Sequence, residues 1–398
     1  MAFELYRMAA RLLTGYRFIF ASDRGGTPGF AVNRTFSAGA AVRSLFNTER
    51  VLVLDTETAE EMESGHSTYP IDYSISLDTN AMSYLRPYMA GKRLAPLPKD
   101  FQAVFEFIAR PEVNIDPIPY FSENLPTLVN GETVDKIFEN LKAYEILRNL
   151  DGEWLKKKGE VRSTLTEQEL VYRAQQLLSR MYMDIGNAPL LKEILFRHQY
   201  MYACLIKMAA IQIKSPSAGL GRKMEAFLDF SHSRLATMNG RETAIARAYF
   251  QRGQKLKFFG KIQKGRSDIL ELLSNMAWDI WHVRQIEQSL AFMPSKGARY
   301  FFPALLTFDH KLIEVMDLYP LKACAFKIGE SKPMPIFNGN TFELMVIDDD
   351  NHVSAIKRYF SEDAIAIRDS VRESVMTSFS DLVKSLEEEL IAIVGGCK

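Results

Sequence analysis

Along this chain, stretches in which apolar residues alternate with polar ones, or run together in short blocks, are separated by stretches in which they recur every three to four positions. Tyr73-Ser74-Ile75-Ser76-Leu77 alternates as a strand does, and Val51-Leu52-Val53-Leu54 is an apolar block of the buried-strand kind. Arg299 to Leu312 reads as an approach segment, a buried strand through Leu306, and a helix opening after Asp309. Helical spacing predicts helices over 81–90 and 100–109, the second with Phe101, Val104, Phe105 and Ile108 on one face. From 130 to 290 the pattern is helical almost throughout, with segments near 132–158, 166–185, 189–213, 221–238, 241–257 and 267–291. Turn signals at Asp151-Gly152, Gly186-Asn187, Pro216-Ser217, Asn239-Gly240 and Gly265 separate them, and no repeat period is present.

The remaining stretches are less regular. Phe3 to Ala21, with Arg7, Arg11 and Arg17, reads as an amphipathic packing helix and lacks the apolar run and cleavage site of a secretory signal. Residues 22–50 read as an irregular loop, and Gly25, Gly26 and Gly29 match neither a Walker loop nor GxGxxG. Between Val113 and Leu125, Pro117 and Pro119 exclude a central strand but permit a short edge strand or an extended entry into a helix that begins near Glu123. Beyond Lys327, a Pro/Gly/Ser-rich link (Gly329 to Asn340) leads to a strand or hairpin over Thr341 to Ile347 and an acidic turn, Asp348-Asp349-Asp350. A long amphipathic helix from Ser361 to Val394 follows, with Val371, Val375, Phe379, Leu382, Leu386, Leu390 and Ile393 near heptad spacing. That face either packs on its own domain or forms the seam of a homodimer.

The expected fold class is α/β. Residues 1–72 form an N-terminal extension, 73–129 the first part of an α/β core, 130–268 an all-helical insertion, 269–327 the second part of the core, and 328–398 a C-terminal accessory region. Composition leaves this picture unchanged: 47% hydrophobic and 25% charged residues are ordinary for a globular protein. With 49 basic against 49 acidic residues, any attraction to nucleic acid must come from a local patch. Three cysteines, Cys204, Cys324 and Cys397, with no CxxC pair, support neither a disulfide framework nor a zinc ribbon, which fits a reducing cytoplasm. No run approaches the roughly 18 apolar residues of a membrane span, so no membrane partner is expected.

Candidate chemistry sits where strands end. Asp78, followed by Thr79 and Asn80, lies at the carboxyl end of the first alternating stretch, where α/β folds build sites. Asp309 repeats that design after Leu306-Thr307-Phe308. Asp279 stands among large apolar neighbours in Met276-Ala277-Trp278-Asp279-Ile280-Trp281-His282, where an unpaired carboxylate is costly. His282, one turn further on, suits a satisfied core residue better than a ligand. Asp55 and Glu57, after the Val51–Leu54 block, resemble the Asp-x-Glu motif of DEDD-type exonucleases, but no late histidine–aspartate pair accompanies them; the plainer expectation is that these acids face solvent. The adjacent acids 348–350 do not have EF-hand spacing and suit a solvated turn.

One stretch is strongly basic. Arg247 to Arg266 carries Arg247, Arg252, Lys255, Lys257, Lys261, Lys264 and Arg266 without an intervening acid, interleaved with Tyr249, Phe250, Phe258 and Phe259. Cations could hold phosphates there while aromatics stack on unpaired bases; alternatively, it is a solvated cationic face whose aromatics belong to the core.

The order Leu77-Asp78-Thr79-Asn80, Glu123, Asp279 and Leu306-Thr307-Phe308-Asp309 resembles the acidic motifs of PIN-like nuclease domains. The resemblance covers roughly 73–125 and 270–327 and implies a parallel sheet flanked by helices, with the large helical insertion spreading its first and last acids 231 residues apart (309 − 78). It further implies that Asp78, Glu123, Asp279 and Asp309 act as catalytic metal ligands for Mg²⁺ or Mn²⁺, with Glu139 or Glu145 as substitutes for Glu123. Thr79, Asn80 and Thr307 would orient carboxylates or water. The implied activity is phosphodiester hydrolysis, most often of RNA, with Arg252, Lys255, Lys257, Lys261, Lys264 and Arg266 holding the strand. Hard oxygen donors select Mg²⁺ or Mn²⁺ over zinc. The competing expectations are a non-catalytic binding or scaffold protein on the same fold, and an exonuclease built on Asp55 and Glu57.

Overall fold

The alternation at 71–77 forms a strand, and the polar residue that ends it turns the chain into a helix. These features were read from a computed structural model that describes residues 14–22, 29–65, 71–90, 97–129, 131, 133–290, 297–330, 333–338, 345, 353 and 356–395. The protein is mixed α/β with two five-stranded sheets. It divides into two compact units: residues 1–194, 282–310 and 321–336 make the first, and 195–281, 311–320 and 337–398 the second. The division falls inside the helices Ala188–Lys214 and Ile269–Ser289 and not at 130 and 268, because the helices from 134 to 186 pack against the sheet core.

Both sheets belong to the first unit. One contains β1 (Tyr16–Ser22), β2 (Gly29–Ala31), β5 (Arg50–Leu54), β9 (Leu321–Lys327) and β10 (Pro333–Phe337), in the order β10-β9-β1-β5-β2, with β1 antiparallel to β5 and β9 and β2 antiparallel to β5. The other contains β3 (Arg34–Thr35), β4 (Ala41–Arg43), β6 (Ile71–Leu77), β7 (Asn114–Asp116) and β8 (Tyr300–Thr307), in the order β3-β4-β8-β6-β7. Within it, β6 pairs in parallel with β7 on one side and with β8 on the other, in the register Leu77↔Leu306. The chain leaves β6 for one neighbour and reaches the opposite neighbour only after residue 299. A crevice at the carboxyl ends of strands is favoured where the strand order reverses in this way.

Local chemistry explains the helices around that crevice. Asp78 is the N-cap of the helix Thr79–Met89, and its Oδ1 accepts from the Ala81 amide at 2.7 Å. Ala81, Met82 and Leu85 turn inward to meet Phe101, Val104, Phe105 and Ile108 of the helix Phe101–Ile108, with Ile75, Leu77, Ala304 and Leu306 from the strands below. The helices Ile118–Val129, Val134–Arg148 and Glu167–Gly186 close the same core through residues such as Tyr120, Leu141 and Met181. Thr166 and Glu169 form a capping box that fixes the start of the last of these.

The second unit is helical. Its core includes Met201 to Ala210 of the helix Ala188–Lys214, together with Leu220–Ser233, Gly240–Arg252 and Phe379–Gly395. The predicted Ser361–Val394 helix is broken at Ser378 into Glu362–Thr377 and Phe379–Gly395. Leu382, Leu386 and Leu390 are buried within the unit, Tyr202 donates to Glu387 at 2.9 Å, and Lys207 meets Glu389 at 3.0 Å. The apolar face proposed for a dimer seam is therefore consumed by its own unit between 379 and 394.

Several expectations are corrected. Residues 16–22 are a strand and not part of a helix, because their ladder with β5 and β9 satisfies the backbone on both sides; residues 3–13 lie outside the described residues. The expected loop at 22–50 contains β2, β3 and β4, while 23–28, with Gly25 and Gly26, lies outside the description. Leu321–Lys327 forms a strand that no expectation covered, and the link after Gly329 contains β10, whose Pro333 and Pro335 suit an edge position. Of the expected hairpin at 341–347 and the acids at 348–350, only Met345 is described. Among the described residues no helix is long and apolar enough to cross a membrane.

Candidate active site at the carboxyl edge of the parallel strands

Because β6 and β8 run parallel with Leu77 opposite Leu306, the residues that follow each strand emerge at the same edge. Asp78 is 7% exposed, and the Thr307 hydroxyl and the Ala81 amide both hydrogen-bond its carboxyl group. Burial pushes its pKa up from 3.8 to about 7, those hydrogen bonds oppose the shift, and the nearby charges of Glu123 and Asp309 add to it. Asp78 is therefore poised between its neutral and ionised forms near pH 7, at a point where further carboxylates converge.

Glu123 reaches this point from the second turn of the helix Ile118–Val129, not from its first as the prolines suggested. The Thr79 hydroxyl donates to its Oε2, and burial raises its pKa against the effect of that bond. His282 is 2% exposed and places Nε2 3.7 Å from the same Glu123 oxygen. Its neighbour Gln285 donates to Ser122 at 2.8 Å, one residue before Glu123. Asp309 is half-buried, and its amide donates to Thr307 Oγ1 at 3.1 Å. Thr307 thus links the two strand-end acids, and Thr79 anchors the helix-borne one.

Asn80, Glu139 and Glu145 stand apart from this cluster. Asp279 is partly exposed on the helix Ile269–Ser289 and belongs to the second unit, whereas His282, one turn on, meets Glu123. Asn80 is exposed, with its carbonyl accepting from Ser83, and holds no carboxylate. Glu139 pairs with Arg86 at 3.7 Å, and buried Glu145 lies between Arg148 and Arg173 at 4.0 and 3.8 Å, so neither replaces Glu123.

The competing pair, Asp55 and Glu57, is bound in a structural network. Asp55 is 2% exposed, contrary to the expectation that it faces solvent, and caps the helix Thr56–Glu63 through the Thr58 amide. It accepts from the Tyr300 hydroxyl and lies 4.0 Å from Arg17. Arg299, 9% exposed, donates to Thr58 and Glu57 at 2.9 Å each and also to Glu61. These guanidiniums balance the acids and tie the start of β8 to the end of β5.

Asp116, the last residue of β7, was not singled out from the sequence, although an acid before Pro117 at a strand end is the signal that marks it. Its carboxylate accepts from Ser76 at 2.9 Å, Ser74 at 3.2 Å and the Ile118 amide at 3.0 Å, while burial raises its pKa. Its donors come from β6 and the following helix, so it braces the edge strand.

The basic stretch is only partly as expected. Tyr249, Phe250, Phe258 and Phe259 are all buried, with the Tyr249 and Phe259 rings stacked at 3.9 Å, so these aromatics form core and cannot stack on bases. Arg266 is paired with Asp268 at 2.6 Å and Arg252 with Glu314 at 3.5 Å. Lys255, Lys257, Lys261 and Lys264 remain as exposed cations of the second unit.

Among the described residues, no group of three or more His, Cys, Asp or Glu side chains is drawn together closely enough to hold a metal ion. In kind, the donors Asp78, Glu123 and Asp309 suit a hard divalent cation; burial is the main cause of the raised Asp78 pKa, and such a cation would offset both that burial and the smaller effect of the neighbouring acids. In position, two of these carboxylates are held by threonine hydroxyls and do not form a closed cage. No family model matches this chain, and comparison with curated proteins and with solved structures likewise gives no match.

Proposed function

We propose that this protein is a PIN-like, metal-dependent nuclease acting on RNA, with its centre at Asp78, Glu123 and Asp309. The observation that carries the reading is the pairing of β6 with β8, which brings Asp78 and Asp309 to one edge, together with the like charge that Glu123 and Asp309 impose on the buried Asp78. Acids brought to one buried edge favour a hard divalent cation as their ligand.

Asp78, Glu123 and Asp309 would hold Mg²⁺ or Mn²⁺. When bound, the ion would supply a hydroxide nucleophile near neutral pH and stabilise charge on the scissile phosphate. The chain's own residues do the rest. Thr307 and the Ala81 amide fix the Asp78 carboxyl group, Thr79 fixes that of Glu123, and His282 stands 3.7 Å behind Glu123, where its protonated form would favour the ionised carboxylate. Since binding needs ionised Asp78, metal affinity and cleavage should rise as pH passes through 7. Lys255, Lys257, Lys261 and Lys264 are the exposed cations available to an RNA backbone.

A second reading, a non-catalytic binding protein on the same fold, is favoured by the absence of a closed metal-ligating group among the described residues and by the structural use of Asp78 as a helix cap. One experiment separates the two. Wild-type chain should cleave single-stranded RNA with Mn²⁺, and Asp78→Asn and Asp309→Asn should lose that cleavage while keeping the wild-type circular dichroism. Calorimetry that finds no carboxylate-dependent Mn²⁺ binding would instead select the binding protein.

A further inference from the structure

The same unit contains a cavity that the acidic centre does not use. It has a volume of about 690 Å³ and is lined by Arg34 and Thr35 of β3, Arg43 of β4, Asn47, Phe107 and Arg110, with Tyr73 of β6 in its wall. From these residues we propose a binding site for the phosphate of a nucleotide, either free or within an RNA strand. The inference does not rest on the nuclease reading.

Three features carry it. The first is charge: three guanidiniums line the cavity against a single acid, Glu49, although the whole chain is neutral. The second is preorganisation, because the Arg34 Cζ lies 4.6 Å from the centroid of the Phe107 ring and 5.1 Å from that of Phe36, while the Arg110 Cζ lies 5.2 Å from Phe107. Cation–π contact holds both side chains in place, so less rotamer entropy is lost when their N–H forks meet an anion. The third is that two of these guanidiniums, those of Arg34 and Arg110, are not spent on ion pairs. Among the described residues neither Arg34 nor Arg110 has a carboxylate partner, whereas Arg17 and Arg299 in the same unit are spent on ion pairs.

Phosphate is the anion these groups suit. A guanidinium fork matches two phosphate oxygens in a bidentate pair, and Thr35 and Asn47 add neutral donors beside it. The volume lies within the range of small-ligand pockets and accommodates a nucleotide. Tyr73 is fixed by its own hydrogen bond to the Val32 carbonyl at 3.1 Å, so its ring is a rigid wall and not a competing anion.

Titration calorimetry on the full chain, with adenosine triphosphate, adenosine and a short single-stranded RNA as probes, tests the site. The triphosphate, the RNA or both should bind, and adenosine should not. Arg34→Gln should weaken that binding by about tenfold or more, the loss expected for one charge-assisted contact. Thr35→Glu, which adds a carboxylate at the exposed rim without disturbing Phe107, should weaken it as well, and both variants should melt with the wild type. Binding of the triphosphate identifies the free nucleotide as a source, and binding of RNA alone identifies the strand. The proposal is overturned if no phosphate-bearing probe binds, if adenosine binds as tightly as the triphosphate, or if both variants bind like the wild type. RNA cleavage that survives in Arg34→Gln while nucleotide binding is lost would leave the acidic centre standing by itself.

Discussion

Asp78 combines two roles that pull in opposite directions. As an N-cap it stabilises a helix through its oxygen, while as a buried acid it resists ionisation, with its pKa raised from 3.8 to about 7. The folded chain therefore holds this proton more tightly than the unfolded chain, so the contribution is fully present below about pH 4 and is lost as pH rises through about 7. Asp78→Asn keeps a capping oxygen and has no charge to bury. It should be more stable than the wild type near pH 8, by up to about 4 kcal/mol, and no more stable near pH 4. Urea titrations at the two pH values measure this, and an equal difference at both would remove the account. Arg299 gives the opposite case: Arg299→Met leaves Glu61 without its guanidinium and Glu57 with Arg17 alone, and because Glu57 is largely exposed the change should cost only about 1–2 kcal/mol, read by the same titration. Cleavage by the folded variant should persist, because the Arg299 network serves the structure and not the acidic centre.

At the scale of elements, pattern and structure agree where each segment's environment is local. The alternation of Tyr73–Leu77 and the spacing of Phe101, Val104, Phe105 and Ile108 each named an inward face, and both faces are in the core. They diverge where a partner decides. Phe258 and Phe259 have no period that marks them as core, yet the Tyr249 ring covers one of them, and Ser378 interrupts what heptad spacing made continuous. Gly240 is another partner-dependent position. A Cβ there would come within 2.6 Å of the Tyr319 ring carbon Cζ, and that ring is stacked on Phe337 at 4.5 Å with the buried Arg241 guanidinium over it. Gly240→Ala should therefore destabilise the chain by about 1–3 kcal/mol by overpacking, despite alanine's better helix propensity. A thermal melt showing a gain in stability would mean that the ring yields at no cost.

Over the whole molecule, neutrality makes any affinity for RNA a local property. If Lys255, Lys257, Lys261 and Lys264 each neutralise one phosphate, changing all of them to Gln should reduce the slope of log K against log salt by about 3. Fluorescence titrations at several salt concentrations measure it, and an unchanged slope would assign the strand to another surface. The sequence by itself determined the strand ends that carry Asp78 and Asp309, the run of helices from 134 to 289, and the bias of 113–125 towards an edge strand and a helix, since each follows from local periodicity, caps and prolines. Tertiary structure decided the rest. Only the pairing of β6 with β8 makes neighbours of acids separated by 231 residues in the chain (309 − 78), and only tertiary packing brings His282 to Glu123 and encloses Asp55 between Arg17 and Tyr300. No local pattern encodes these contacts, because each depends on which distant side chain the folded core brings within hydrogen-bonding range.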